Sequence, residues 1–338
     1  MNTDNPRGRS REQLSPARVA LADPFADPEA VRTALGDALH GAGVRLEQVD
    51  AIPHGPGIVG LLVGPEVPMT AEDLALLPDL RVIAVTSTGY DHVPVEAARA
   101  AGVWVTSSAG YCTQEVAEHT LALGVGLLRG TVDLDRDVRS GIWDVERVRP
   151  RRIAGTRWGL VGFGRIARAV AEHAAALSMP VSAWDPMVAP EHFEKAGVRR
   201  VENLIDLLAG TDLVSLHIPL TSETADLIGA AELAAMPTGS FLVNVSRGEI
   251  LDHAALAAAL DSGQLKGVAL DTLPVEPPAA DDPALSLTST VLNPHAAWYS
   301  DEARQRAYAW AGAAVGAVLS GGRPDGVVVV EPPHSRQT

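Results

Sequence analysis

Short apolar runs alternate along the chain with longer stretches in which apolar positions recur every three or four residues. Ala17–Ala22, Gly57–Val63 and Arg81–Thr86 read as buried strands, and Pro28–Gly41 and Pro94–Ala101 as helices. A second, more regular series begins at Thr156, with strands at Trp158–Gly162, Val181–Asp185, Leu213–His217, Phe241–Val245, Gly267–Leu270 and Val291–Asn293. Strands that are apolar throughout and separated by helices predict α/β architecture, with parallel sheets covered on both faces. Between the two series Thr113–Arg139 reads as one long helix; after the second, Asp301–Leu319 reads as a helix and Val327–Val330 as a strand. The first fifteen residues have no apolar core and read as a flexible tail, so a secretory signal is not expected there. The uncharged, Ala- and Gly-rich stretch Ala307–Gly322 falls short of the roughly 20 apolar residues a membrane-spanning helix requires.

Composition narrows the chemistry. The 338 residues carry 27 Lys and Arg against 42 Asp and Glu, a formal charge of −15. A field of that sign disfavours nucleic acid and anionic lipid as partners. Only Lys195 and Lys266 are lysines. Neither sits in a Gly-Lys-Ser/Thr phosphate loop, and neither has a serine three residues before it, where His192 and Gly263 stand. A P-loop and a Ser-x-x-Lys acylase are therefore excluded. The single cysteine, Cys112, permits neither an intrachain disulfide nor a cysteine-rich zinc site, and fits a reducing cytoplasm. No metal is expected.

The sequence around Trp158–Ala167 is a strand, a glycine pair and the start of a helix. Gly162 permits a tight turn and Gly164 a close backbone approach to a pyrophosphate. The amides that open the helix, at Arg165 and Ile166, face that anion with the favourable end of the dipole. Asp185 closes the next strand about 20 residues further on, where a carboxylate accepts the ribose hydroxyls. An aspartate before Pro186 is also an ordinary turn residue, but strand, turn, helix, strand and acid follow the required order. Asp185 repels a 2′-phosphate, and Pro186–Val188 offers no arginine to receive one, so NAD is expected in preference to NADP.

Three later strands end in ionisable residues: Arg247 after Phe241–Val245, Asp271 and Glu276 after Val268–Leu270, and His295 after Val291–Asn293. Open parallel sheets bind ligands at that edge. Arginine forms a two-pronged pair with a carboxylate and polarises an adjacent carbonyl. Histidine titrates near neutrality and can exchange a proton with the substrate, and a carboxylate against it favours the charged imidazolium. Together they suit a 2-keto acid. His217, before Pro219, reads as packing or loop structure.

With these motifs in order, and with Leu216–Thr221, Asn244–Gly248 and Pro294–His295 between and after them, the chain resembles the D-isomer-specific 2-hydroxyacid dehydrogenase family from about Ala17 to Val330. The resemblance implies a Rossmann NAD-binding domain (109–299) inserted in a discontinuous flavodoxin-like substrate domain (16–108 and 300–338), assembled as a homodimer. It assigns the substrate carboxylate to Arg247, the acid/base role to His295 and its support to Glu276. It places Asp271, Thr113, Pro219, Val245, Ser246 and Ala297 with Gly162, Gly164, Arg165, Ile166 and Asp185 around the cofactor. Ser87, Thr88 and Gly89 match the loop whose backbone amides hold the substrate carboxylate. The implied activity is NAD-dependent interconversion of a small anionic 2-keto acid and its D-2-hydroxy acid.

One departure is the run Pro294-His-Ala-Ala-Trp-Tyr-Ser300, which is similar to the C-terminal-binding protein branch of NAD-dependent corepressors. It opens the alternative of an NAD(H)-responsive binding protein with incidental turnover. Trp298 is then either an apolar wall beside the substrate or a surface tryptophan. The arginines between Arg147 and Arg157 are either a solvated loop or an attractor for anionic ligands at the site.

Overall fold

The computed structural model describes residues 17–36 and 44–332. The tail expected at 1–15 and the last turn of the helix expected to reach Gly41 lie outside the described residues. The chain forms two compact units, Met1–Tyr111 with Asp301–Thr338, and Cys112–Ser300.

The first unit carries a six-stranded sheet in the order β13-β5-β4-β3-β1-β2. Its strands are β1 (Arg18–Ala22), β2 (Arg45–Val49), β3 (Ile58–Val63), β4 (Val82–Val85), β5 (Trp104–Ser107) and β13 (Val327–Val330). All pairings are parallel except β13 on β5, which is antiparallel. The period-2 alternation of strands puts Val19, Leu21, Leu62 and Val82 on one face, packed with Val31, Tyr308 and Val315. Ala20, Leu61, Val63 and Ile83 face the other way, against Leu74, Leu77 and Ala98. The sequence reading leaves out β2, whose Arg45, Glu47 and Gln48 are exposed because the strand lies at the sheet edge. Arg18 pairs with Glu47 across that edge at 3.0 Å.

The second unit carries seven parallel strands in the order β12-β11-β10-β9-β6-β7-β8. These are β6 (Trp158–Val161), β7 (Val181–Trp184), β8 (Arg199–Arg200), β9 (Leu213–Leu216), β10 (Ser240–Asn244), β11 (Leu265–Leu270) and β12 (Thr290–Leu292). The order doubles back between β6 and β9, the switch point at which a doubly wound Rossmann sheet binds a dinucleotide. Helices Thr113–Arg129 and Arg165–Ala176 cover one face, where Trp158, Leu160, Phe163 and Val170 are buried. Leu207, Leu233, Leu242 and Leu256 fill the other.

The helix expected over Thr113–Arg139 is in fact two, Thr113–Arg129 and Thr131–Arg139. Gly130 breaks it in the left-handed conformation (φ +62°), donating to the carbonyls of Gly126 and Leu127. Val148 approaches so closely that a Cβ on residue 130 would lie 2.2 Å from its Cγ1. Among the described residues no helix is long and apolar enough to cross a membrane, and no cluster of three or more His, Cys, Asp or Glu could hold a metal.

Candidate active site

The turn after β6 begins with Gly162 at φ +92°, where a side chain would be strained and its Cβ would meet the His217 carbonyl oxygen at 2.7 Å. Gly164 is different: it opens the helix Arg165–Ala176 with ordinary backbone angles, and a Cβ there meets nothing within 4 Å. The helix start has no side-chain cap and no acidic residue in its first turn, leaving its opening amides and positive dipole end to an anion. Asp185 joins the turn to the end of β7. Its Oδ2 accepts from the Phe163 amide at 2.8 Å and its Oδ1 from the Met187 amide at 2.9 Å. Each oxygen retains a lone pair for a ribose hydroxyl. Open space at Gly164, uncapped amides and this carboxylate fit NAD. Ala167, the third position of the fingerprint, is fully buried, as close helix-to-sheet packing requires.

A glutamate–histidine pair is built on the neighbouring strand ends. Glu276 Oε2 lies 2.7 Å from His295 Nδ1, and Glu276 Oε1 accepts from the Leu273 amide at 2.8 Å. The second bond holds the carboxylate so that the first can orient the ring through Nδ1. Burial works to raise the Glu276 carboxyl. The hydrogen bond and charge of His295, the Leu273 amide and the charge of Arg247 together outweigh it and hold the group below its ordinary value.

His295 adopts a left-handed backbone, φ +52°, unusual for a residue with a side chain. Asp271 over-determines that conformation. Its carbonyl accepts from the His295 amide at 2.8 Å, and its carboxylate oxygens accept from the amides of Ala296 (2.8 Å) and Ala297 (2.9 Å). Asp271 is 1% exposed, and Ala297 is buried. Asp271 thus anchors the histidine loop, a role that sequence reasoning missed because the bonded amides lie some 25 residues away in the chain. His119 was also missed. Its Nε2 lies 3.0 Å from Asn293 Oδ1 and 3.7 Å from Asp271 Oδ1, and its position in a helix gave no signal.

Arg247 follows β10 in a loop braced by Asn244, whose side chain bonds both the Arg247 carbonyl and the Ser246 amide. Ser246 Oγ donates to the Leu216 carbonyl at 2.7 Å, tying this loop to β9. Gly248 lies against the next loop: a Cβ there would sit 2.1 Å from the Leu273 carbonyl carbon. The arginine loop and the Glu276 loop are therefore packed backbone to backbone. His217, at the end of β9, places Nε2 2.8 Å from Ser215 Oγ, which accepts from the buried Trp158 indole at 3.0 Å. Desolvation pushes His217 down to about 3, so it adds no positive charge here at neutral pH.

Arg247, Glu276, Asp271 and His295 thus stand at the carboxyl edge of one sheet, with Gly162, Gly164, Arg165, Ile166, Asp185, Pro219, Val245 and Ser246. Thr113 begins the helix Thr113–Arg129 on the same unit. Trp298 is half-buried, edge-on to Tyr299 with ring centroids 5.4 Å apart. Ser87, Thr88 and Gly89 belong to the other unit, just past β4. Ser107 Oγ donates to the carbonyls of Ser87 (3.1 Å) and Thr88 (2.9 Å), and Ser87 Oγ to that of Gly89 (2.7 Å). Two of the arginines before β6 are held away from the carboxyl edge. Arg151 and Arg157 hold Asp212, which precedes β9, at the opposite end of the strands.

Comparison with known proteins agrees with this arrangement. Residues 121–297 match the model of the D-isomer specific 2-hydroxyacid dehydrogenase, NAD binding domain. The chain is 38% identical over 263 residues to a glyoxylate reductase of Korarchaeum cryptofilum, covering 76% of this chain and 78% of that protein. It is 32% identical over 293 residues to a D-3-phosphoglycerate dehydrogenase of Archaeoglobus fulgidus. That match covers 85% of this chain but 54% of the relative, so the chain spans about half of the phosphoglycerate dehydrogenase's length. The crystal structure of a D-lactate dehydrogenase from Aquifex aeolicus, complexed with NAD and lactic acid, superposes with a TM-score of 0.81 at 26% identity, over 94% of this chain and all of that one. The class is a Rossmann-type NAD-binding protein of the oxidoreductases. The chain belongs to the D-isomer-specific 2-hydroxyacid dehydrogenase family, and NAD is its cofactor.

Proposed function

We propose that the protein is a cytoplasmic, homodimeric NAD-dependent dehydrogenase that interconverts a small 2-keto acid and its D-2-hydroxy acid. The observation that carries this reading is the Glu276–His295 pair at 2.7 Å, within the electrostatic reach of Arg247, on the sheet edge that holds the dinucleotide turn. Gly162–Ile166 and Asp185 would hold the cofactor, which when bound would supply hydride as NADH in reduction and accept it as NAD+ in oxidation. Arg247 binds the substrate carboxylate and polarises the carbonyl beside it. His295, held through Nδ1 by Glu276, donates the proton to the carbonyl oxygen in reduction and removes it in oxidation. Ser87, Thr88 and Gly89 carry the backbone amides that the family resemblance assigns to a substrate carboxylate, and Trp298 gives the substrate side chain an apolar wall.

Purified protein with NADH and a panel of 2-keto acids should consume NADH and yield the D product. Replacing His295 by Ala should lower kcat by about 10²- to 10⁴-fold, the usual contribution of a positioned acid. Full activity in that variant overturns the mechanism. The run Pro294–Ser300, with its Trp298–Tyr299 edge pair, supports a second reading, an NAD(H)-responsive binding protein. Undetectable turnover, with partner binding that changes on adding NADH, would favour that reading.

A further inference from the structure

The amino edge of the second sheet carries a charge arrangement that the proposed reaction does not use. Arg157 binds Asp212 through two nitrogens, Nε at 2.9 Å and Nη2 at 3.0 Å, and Arg151 Nη1 reaches the same carboxylate at 3.3 Å. Two guanidinium groups thus share one acid. Two more cations adjoin them. Lys266 Nζ donates to the Arg149 carbonyl, and the Arg149 guanidinium has no ion pair among the described residues. Lys266 Nζ and Arg151 Cζ lie 5.9 and 5.8 Å from the centre of one buried ring, Phe241. Two cations therefore share one carboxylate, and two more stand beside Arg151 without an acid of their own among the described residues, in a chain whose net charge is −15.

Like charges held this close raise each other's energy unless an anion joins them. The lysine reflects it: burial, then the charges of Arg151 and Arg149, hold its ammonium below the ordinary lysine value. The Phe241 ring stabilises both cations by cation–π attraction but does not neutralise them. Arg157 has spent its fork on Asp212, whereas Arg149 and Lys266 retain donors that no acid occupies. Guanidinium and ammonium groups neighbouring one another around Phe241 suit a tetrahedral dianion, which accepts from several donors at once.

We propose that Arg149, Arg151 and Lys266 form a binding site for a small phosphate-bearing anion at the amino edge of the NAD-binding unit. The site is separate from the dinucleotide turn. β10, with Phe241 near its start and Arg247 beyond its end, spans roughly 13 Å at about 3.3 Å per residue. Its ligand is either inorganic phosphate or a phosphate monoester, and the two differ only in what the fourth oxygen carries.

The test is calorimetric titration of the full-length protein, at constant ionic strength and with NAD saturating so that the pyrophosphate cradle is filled. Inorganic phosphate and glycerol 3-phosphate are the two probes, with chloride as control. Saturable binding of one equivalent is expected for at least one probe, the tighter of the two identifying the source. Arg149→Ala and Lys266→Ala should each weaken it roughly tenfold, the loss of one charge-assisted contact. The Arg149 side chain holds nothing else, so that variant should melt like the wild type in chloride. Lys266→Arg should restore binding. Heat that does not saturate, equal heat with chloride, or unchanged affinity in Arg149→Ala and Lys266→Ala overturns the proposal.

Discussion

At His295 the chemistry depends on which nitrogen is engaged. Glu276 binds Nδ1, and Glu276 is itself fixed by the Leu273 amide, so the ring is set by two successive bonds to an ionised carboxylate. The Glu276 carboxyl titrates below its ordinary value. Its pairing with His295 therefore stabilises the fold fully above that ordinary value and is lost as pH falls through the lowered one. Replacing Glu276 by Gln keeps a hydrogen bond but removes the charge that favours imidazolium. In NADH-driven reduction kcat/KM at neutral pH should fall by about 10- to 100-fold. An unchanged kcat/KM would mean that Glu276 only fills space. Arg247, Glu276 and His295 were legible from sequence because each closes an apolar strand and because arginine, acid and histidine together suit one substrate class. Asp271 was legible as an acid near the cofactor but not as an anchor, since its three backbone bonds to the 295–297 loop depend on the parallel pairing of β11 with β12.

At the scale of elements, strands buried on both faces announce themselves as continuous apolar runs, and β1, β3, β4, β6, β9, β10 and β11 lie within a residue or two of where those runs place them. The strands that escaped are β2 and β8, which have little to bury, and β5, whose Val105, Thr106 and Ser107 are buried but make a very short run. β2 is an exposed edge strand, and β8 is two arginines. The break at Gly130 escaped because glycines at 124 and 126 stand inside the preceding helix, so glycine alone marks no boundary there; the left-handed turn is fixed by tertiary contact with Val148. The dinucleotide turn permits a test that separates folding from binding. Gly164 has ordinary backbone angles and open space around a Cβ, so Gly164→Ala should melt within about 1 kcal/mol of the wild type, near the usual Gly-to-Ala effect. The added methyl stands where the pyrophosphate must approach the helix start, so NADH affinity, read by fluorescence titration, should fall about 10-fold or more. Unchanged affinity would place the pyrophosphate elsewhere.

Across the whole molecule, a charge of −15 coexists with ligands that are themselves anions. In the proposed reaction, long-range repulsion is overcome locally, by helix-opening amides at Arg165 and Ile166 and by the Arg247 guanidinium, whose short-range interactions are screened far less than the distant field. The same distribution bears on assembly. Helix Thr131–Arg139 buries none of its residues within the chain, and it leads into a segment with an unusual surface: Val138 is 50% exposed, Val145 76% and Trp143 89%. A helix amphipathic in sequence yet unburied, followed by an exposed tryptophan, has the composition of an interface core rather than of a solvated arm. For the homodimer proposed above, this segment is the contact it selects. Light scattering after gel filtration should give twice the 35.3 kDa chain mass. Trp143→Asp with Val138→Asp should give the single-chain mass while leaving the circular dichroism spectrum unchanged, because neither side chain is buried within the chain. A dimer that persists in the double variant would move the interface to another face, and a wild type of single-chain mass would remove the homodimer from the proposal.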